Sequence, residues 1–180
     1  PAGNLYASTL VRLGPGEPPA ATLALVAGIA LHQVASLYAC GLTLKWPNDL
    51  LAGAAKVGGI LLEREGEAVV AGFGVNLAAH PDLPDRSATS VAALAGAAPH
   101  PADFAAALAE AFARWLSRWR REGIAPVRRR WLEDAHPIGT ALATSEGEGL
   151  FAGLDEDGAL RLHLADGGVR IIHAGDVFLI

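Results

Sequence analysis

Lysine is rare in this 180-residue chain, and its two lysines lie on either side of one short segment. Of the 14 basic residues, only Lys45 and Lys56 are lysines, and the others are arginines. Arginine serves solvated positions well, whereas the compact lysine ammonium can enter a tight site as a point charge. We therefore interpret the two lysines as residues with a specific task. Two surface lysines that happen to be neighbours are the alternative.

The loop between the lysines begins with Trp46-Pro47-Asn48-Asp49, directly after a strand predicted over 42–46. Proline removes a ladder donor and restricts the residue before it to extended geometry, so the chain is expected to leave the sheet at Pro47. Binding residues concentrate in loops at strand ends. Asn and Asp after Pro are also common turn formers, so an ordinary turn stays the alternative.

A glycine pair, Gly58-Gly59, follows Lys56 inside an otherwise apolar predicted strand. Glycine weakens a strand because it has no side chain to pack and loses much conformational freedom on folding. The pair therefore indicates a bulge, or the close approach of another backbone or of a ligand.

Hydrophobic periodicity and turn residues predict the elements that must position these residues. In chain order, they are a strand over 4–13, a long buried helix over 20–40, the strand over 42–46, a hairpin over 56–63 and 68–77, a loop over 78–89, a helix from Pro101 to Gly123 and a short helix over 126–132. From His136 onward, brief β runs separated by turn residues predict a small antiparallel barrel or sandwich. A domain boundary is expected near Ala135.

Composition restricts the function further. A net charge of −5 gives no general attraction to nucleic acid or anionic membrane. The single cysteine, Cys40, excludes an internal disulfide and favours a reducing compartment, with the cytoplasm as the expected location. The most apolar stretch is too short to span a bilayer. The six histidines have no metal-ligand spacing, so no protein metal site is predicted.

Five segments in this order resemble the catalytic domain of biotin protein ligases. They are Asn4-Leu5-Tyr6, the run Lys-Trp-Pro-Asn-Asp over 45–49, a lysine eleven positions after Lys45, Gly-Gly-Ile-Leu over 58–61, and Gly-Phe-Gly-Val-Asn-Leu over 72–77. The resemblance implies an α+β fold: a mixed sheet with helices on one face over residues 1–135, then a small SH3-like β-barrel over residues 136–180. Lipoate ligases and octanoyl transferases share the fold but lack the Lys-Trp-Pro-Asn-Asp run, which makes them a distant alternative.

What the resemblance implies for function is a two-step adenylation. The carboxylate of biotin attacks the α-phosphate of ATP, with Mg²⁺, and the biotinyl-adenylate (biotinyl-AMP) then passes biotin to a lysine of a biotin carboxyl carrier protein, which is the expected partner. Both steps develop negative charge that needs fixed donors and cations. The oligomeric state stays open, a homodimer included.

The resemblance also assigns roles to individual residues. Lys56 would hold the biotin carboxylate and the α-phosphate, Lys45 and Asn48 would face the nucleotide phosphates, and Asp49 would position or help deprotonate the acceptor lysine. The backbone of Gly58, Gly59 and Ile60 would lie against biotin, and Asn76 would lie by the adenine.

The chain departs from the family pattern at its beginning. The Gly-Arg-rich loop of the family, and the Ser/Thr segment before it, should precede Asn4. The chain starts at Pro1 and contains no methionine, so we expect a fragment with weak activity, or with none if the loop is truly lacking. A truncated paralogue that binds biotin without catalysis is the alternative function, and a scaffold that only dimerises or docks the carrier is a third. No DNA-binding helix-turn-helix is visible.

Overall fold

The computed structural model describes residues 2–82, 84 and 87–180, which form two five-stranded sheets and four α-helices. The strands are β1 (Leu5–Arg12), β2 (Leu42–Lys45), β3 (Asp49–Ala52), β4 (Ala55–Glu65), β5 (Ala68–Val75), β6 (Ala141–Thr144), β7 (Gly147–Leu154), β8 (Leu160–His163), β9 (Val169–Ile172) and β10 (Val177–Leu179). The helices are α1 (Leu23–Ala35), α2 (Val91–Ala95), α3 (Pro101–Glu122) and α4 (Ile124–Asp134), and a 3₁₀ turn, Ala20–Thr22, precedes α1.

The first sheet has the strand order β1-β5-β4-β3-β2, and all its strand pairs are antiparallel. The predicted α+β class is confirmed, but the expectation of a mixed sheet is wrong. Short turns join β2 to β5 in succession, and such turns can connect only antiparallel neighbours, because parallel strands need a long crossover. The long segment from β1 to β2, which holds α1, does not create a parallel pair, since β1 joins β5 at the edge.

The helices cover one face of this sheet, as expected. α1 is apolar almost all round and contacts β2 to β5 on one side and α3 and α4 on the other. Alternation along β1 separates the two faces: Leu5 and Val11 are buried under the helices, whereas Tyr6 and Leu10 are exposed. The opposite face is open, and we call it the open face.

Close contacts fix the helical layer. A Cβ at Gly28 of α1 would lie 3.3 Å from the indole nitrogen of Trp131 on α4, so glycine lets the two helices approach. The indole of Trp119 on α3 donates to Thr22 Oγ1 at 2.8 Å. The bond satisfies the polar end of the buried Trp119 while its ring fills the core.

Two short elements differ from the sequence prediction. Asp49–Ala52 was expected within a loop but forms β3, because Leu50 and Leu51 are buried when this four-residue run pairs with both β2 and β4. α2 was not predicted; the side chain of Ser90 caps it by accepting from Ala93 N. Of the loop predicted over 78–89, Leu83, Asp85 and Arg86 lie outside the described residues, as does Pro1.

The second sheet has the order β10-β6-β7-β8-β9, again antiparallel throughout, which is compatible with the predicted SH3-like barrel. A parallel bridge joins Leu44 of β2 to Ala135, directly after α4. Buried residues of both sheets belong to one contiguous hydrophobic cluster. The domain division near Ala135 stays a prediction. Within the described residues, none of the helices is long and apolar enough to cross a membrane.

Candidate active site

One row of residues crosses the open face through all five strands of the first sheet. The pairings run Lys45 to Asp49, Asp49 to Gly59, Gly59 to Gly74, and Gly74 to Tyr6. Residues directly opposite each other in paired strands share a face. The row therefore places charged side chains at one end, an aromatic side chain at the other, and two glycines between them.

A β-bulge adds the second lysine to this face. Along β4, Gly58 and Ile60 lie on the covered side and Gly59 and Leu61 on the open side, so a regular strand would turn Lys56 towards the helices. The register shifts between Leu50 and Leu51 of the neighbouring strand. An extra residue in one strand reverses the alternation beyond it, and Lys56 consequently lies on the open face.

The two lysines and Asp49 form one cluster. Lys45 Nζ lies 2.9 Å from Asp49 Oδ2, and Lys56 Nζ contacts Asp49 Oδ1. The side chains of Lys45 and Asp49 are only 15% and 12% exposed, while that of Lys56 is 36% exposed. Two ammonium groups and one carboxylate leave a net charge of +1, and Lys56 presents it to solvent.

Glycines form the floor beside this cluster. Gly59, Gly72 and Gly74 lie next to one another on β4 and β5, in a shallow depression of about 440 Å³ that Tyr6 and Ser8 border on β1. A Cβ added at Gly74 would meet nothing within 4 Å. The backbone of the sheet is thus directly accessible to a flat ligand, next to the ammonium of Lys56.

The two glycines of the pair on β4 have different structural roles. A Cβ at Gly58 would lie 2.9 Å from the carbonyl oxygen of Gly74, so this glycine permits close approach of β4 and β5. A Cβ at Gly59 would lie 2.9 Å from Lys56 Nζ and 3.0 Å from Lys56 Cε. Gly59 therefore leaves room for the lysine side chain above the sheet.

The turn between β2 and β3 is held by Asn48. Its side-chain amide donates to the carbonyl of Ile60 at 2.7 Å, and its own carbonyl accepts from the backbone N–H of Ile60 at 2.9 Å. The Trp46-Pro47 peptide bond in this turn is cis. These bonds fix the position of Asp49 relative to β4.

Asn76, which follows β5, ties the strand bearing Lys56 to the loop beyond. Its side-chain amide donates to the carbonyls of Thr89, at 3.1 Å, and Lys56, at 3.4 Å. Its backbone N–H donates to Val57 and its carbonyl accepts from Val91. The Asn76 side chain thus supports the backbone next to Lys56.

The second sheet also reaches the cluster, through contacts that the sequence does not reveal. Lys45 Nζ donates to the carbonyl of Val177 on β10 at 2.6 Å, and the Trp46 indole N–H donates to the carbonyl of Gly158 at 3.1 Å. Both acceptors are backbone atoms more than 100 positions away in the chain, so no residue type marks them. Burial, and secondarily the Lys45 ammonium, lowers the pKa of His136 below its ordinary value of 6.5.

A larger crevice lies elsewhere. It measures about 660 Å³, lies between the start of α1 and the second sheet, and is lined mainly by apolar side chains such as Leu25 and Leu62. Asn48 borders it, whereas Lys45, Asp49 and Lys56 do not. In residues 2–82, 84 and 87–180, no three His, Cys, Asp or Glu side chains are grouped to hold a metal ion.

Comparison with known proteins identifies the family. Residues 143–180 match the model of the biotin protein ligase C-terminal domain. Over 99% of its length, the chain is 40% identical to biotin–[acetyl-CoA-carboxylase] ligase of Paracoccus denitrificans, of which it covers 81%. The chain belongs to the biotin protein ligase family. It is also 32% identical, over 98% of its length, to the bifunctional ligase/repressor BirA of Escherichia coli, of which it covers 58%.

A solved biotin protein ligase has the same fold. The structure from Aquifex aeolicus in complex with biotin and ATP superposes with a TM-score of 0.86, covers 99% of this chain and 79% of its own, and is 21% identical. Both sheets and the helical layer of this family member are thus part of a known ligase architecture.

Proposed function

We propose that this chain is a biotin–[biotin carboxyl carrier protein] ligase, which activates biotin with ATP and transfers it to a lysine of the carrier. The observation that carries the proposal is the Lys45–Asp49–Lys56 cluster at the edge of a glycine floor. A fixed cation beside exposed backbone suits a ligand with a flat ring system and an anionic end. Family membership and the biotin- and ATP-bound relative of the same fold support this assignment.

In the first step, a carboxylate oxygen of biotin attacks the α-phosphate of ATP, pyrophosphate leaves, and biotinyl-adenylate forms. We assign to Lys56 the neutralisation of the carboxylate and of the charge that develops on the α-phosphate. The ammonium is held in place before the reaction, by Asp49 and by the room above Gly59. Such preorganised charge costs no reorganisation in the transition state.

In the second step, the amine of the carrier lysine attacks the acyl carbon of the adenylate, AMP leaves, and an amide forms. Lys56 can stabilise the oxyanion and the leaving phosphate in the same position. Both oxygens of Asp49 are engaged by ammonium groups. This arrangement favours an orienting role for Asp49 over direct acceptance of the amine proton.

The predicted glycines keep their proposed role beside biotin, and Asn48 and Asn76 gain a structural role. The backbone at Gly58, Gly59 and Ile60 borders the floor where we propose biotin lies. The side chain of Asn48 holds the turn, and that of Asn76 holds the strand of Lys56. We propose that Asn76 lies by the adenine.

Mg²⁺ enters this proposal as part of the substrate. The only carboxylate of the cluster is bound by two lysines, and no group of three metal-ligating side chains exists in the described part of the chain. The residues present therefore do not fit a resident magnesium site, and the ion is expected to arrive on the phosphates of ATP. We further propose the cytoplasm as the location and the carrier of acetyl-CoA carboxylase as the acceptor; a homodimer remains a hypothesis.

Biotin-dependent exchange of pyrophosphate into ATP tests the first step directly. We expect exchange by the chain and a loss of at least 100-fold in Lys56→Met, the size of effect that follows loss of one electrostatic stabiliser in a transition state. Arg114→Met, which removes an exposed positive charge from α3, is the matched control and should retain full exchange.

Calorimetric titration with biotin separates the remaining functions. Biotin binding without exchange would contradict the proposal and favour the non-catalytic binding paralogue. A chain that neither binds biotin nor exchanges pyrophosphate would favour the scaffold. Full exchange in Lys56→Met would remove Lys56 from the mechanism.

A further inference from the structure

The first two residues of the Lys-Trp-Pro-Asn-Asp run both donate hydrogen bonds to the second sheet. Lys45 Nζ binds the carbonyl of Val177 at 2.6 Å, and the Trp46 indole N–H binds the carbonyl of Gly158 at 3.1 Å. Neither acceptor belongs to the sheet that bears the lysines. Lys45 and Trp46 therefore connect the two sheets, whereas Asn48 and Asp49 support Lys56.

The contacts of Lys45 form a continuous path from β10 to Lys56. The ammonium of Lys45 lies between the carbonyl of Val177 and Asp49 Oδ2, and the other oxygen of Asp49 contacts Lys56. Lys45 is 15% exposed, less than half as exposed as Lys56. A buried ammonium with two oxygen partners in fixed directions determines where the carboxylate between the lysines points.

The surroundings of Lys45 favour a fixed position. Lys45 lines a narrow gap of about 10 Å³ between the two sheets, together with Trp131 of α4, Phe151 of β7 and His136. Among the residues that the structure describes, the imidazole Nε2 of His136 has no hydrogen-bond partner. The Lys45 ammonium is thus directed into this gap between the two sheets, which we call the junction, and away from the glycine floor where a ligand would lie.

We infer that Lys45 is a positioning residue that sets the orientation of Lys56 through Asp49, according to where strand β10 lies. This inference rests on the proposed ligase function and replaces a direct contact of Lys45 with the nucleotide phosphates. It explains why a lysine occurs at this position in a chain that otherwise uses arginine, because the small ammonium fits between a carbonyl and a carboxylate. It also makes β10 a part of the active site, through the backbone carbonyl of Val177.

A double-mutant cycle in the pyrophosphate-exchange assay tests the path. Lys45→Met, Asp49→Asn and the double variant are compared, with Arg114→Met as the charge-matched control. We expect Lys45→Met to lower kcat by about tenfold with the KM for ATP changed less than about twofold, since it removes no ligand contact. The double variant should lose no more activity than Asp49→Asn alone, because Lys45 acts through Asp49.

Hydrogen exchange provides a readout that does not depend on activity. Lys45→Met should accelerate amide exchange in β10 and in the peptide containing Lys56, and Arg114→Met should not. Trp46→Phe keeps an aromatic ring at this position but removes the bond to Gly158 together with the pyrrole part of the indole. If Lys45→Met fails to fold, Trp46→Phe should still lower kcat at constant KM for ATP and accelerate exchange at the junction.

Losses that multiply in the double variant, together with a raised KM for ATP in Lys45→Met, would overturn the inference and make Lys45 a phosphate ligand. Unchanged exchange in β10 would overturn it as well. A wild-type chain without pyrophosphate exchange would refute the ligase proposal, and hydrogen exchange in Lys45→Met would still show whether the path from β10 to Lys56 exists.

Discussion

The two faces of the first sheet are formed by the same strands but differ in how far their residues are excluded from water. On the covered face, side chains such as Leu5, Val57 and Val69 are excluded from water and fill the space under the helices. On the open face, glycines leave the backbone bare, and side chains such as Leu61 are exposed. One face stabilises the fold through buried apolar area, and the other leaves the backbone of the sheet accessible.

On strand β4, neighbouring residues belong to opposite faces of the sheet. Gly58 and Ile60 serve the covered face, while Gly59 and Leu61 serve the open face. The bulge next to Val57 then brings Lys56 to the open face, against the simple alternation. A single register shift therefore decides whether Lys56 lies on the open face.

The largest difference between the faces is expected from neighbouring positions on β4. Ile60 is 4% exposed and Leu61 is 61% exposed. Ile60→Ala should lower the free energy of unfolding by about 2 to 5 kcal/mol, the usual cost of truncating a buried aliphatic side chain. Leu61→Ala should change it by less than about 0.5 kcal/mol. Urea denaturation of both variants measures the contrast, and equal losses would refute the assignment of faces.

Substitutions at the glycine pair should have smaller effects, and they test whether the two glycines have separate roles. Gly58→Ala places a methyl group against the carbonyl of Gly74, a backbone atom that cannot move aside, and should cost about 1 to 3 kcal/mol in stability. Gly59→Ala meets side chains alone, chiefly the flexible end of Lys56 and, at 3.4 Å, Asp49 Oδ1. It should lower pyrophosphate exchange by about tenfold while the melting temperature changes little, because the methyl group displaces Lys56 from its place above Gly59.

Gly74→Ala is the control for this comparison, because its methyl group would point into open space on the same floor. It should leave both stability and the position of Lys56 unchanged, and weaken only ligands that lie on the floor. A large loss of stability in Gly59→Ala, or none in Gly58→Ala, would contradict the division of tasks.

The smallest effect is expected at the junction between the two sheets, where His136 and Lys45 line the same gap. Burial and the Lys45 ammonium lower the pKa of His136. The unfolded chain then binds a proton at a higher pH than the folded chain does. The free energy of unfolding should fall as pH decreases from about 6.5 to the lowered pKa, and this contribution should not change further below it.

Denaturation of the wild type and of His136→Gln at pH 7.5 and 5.5 measures this term. The variant should lose less stability between the two pH values than the wild type does. His163→Gln, which changes an exposed histidine of β8, is the control. An identical pH dependence in wild type and His136→Gln would show that His136 is not held neutral by its surroundings.

The sequence by itself predicted most of the elements and the residues that we propose for the site. The rarity of lysine, the glycine pair and the motif order identified Lys45, Lys56, Gly58 and Gly59, and periodicity predicted the hairpin and helices, because these signals are local. Only the tertiary structure decided that the sheet is antiparallel, that Asp49 lies on a strand, and that Lys45 reaches Val177. Register shifts and bonds to distant backbone carbonyls depend on how strands pair, and residue types along the chain do not encode them individually.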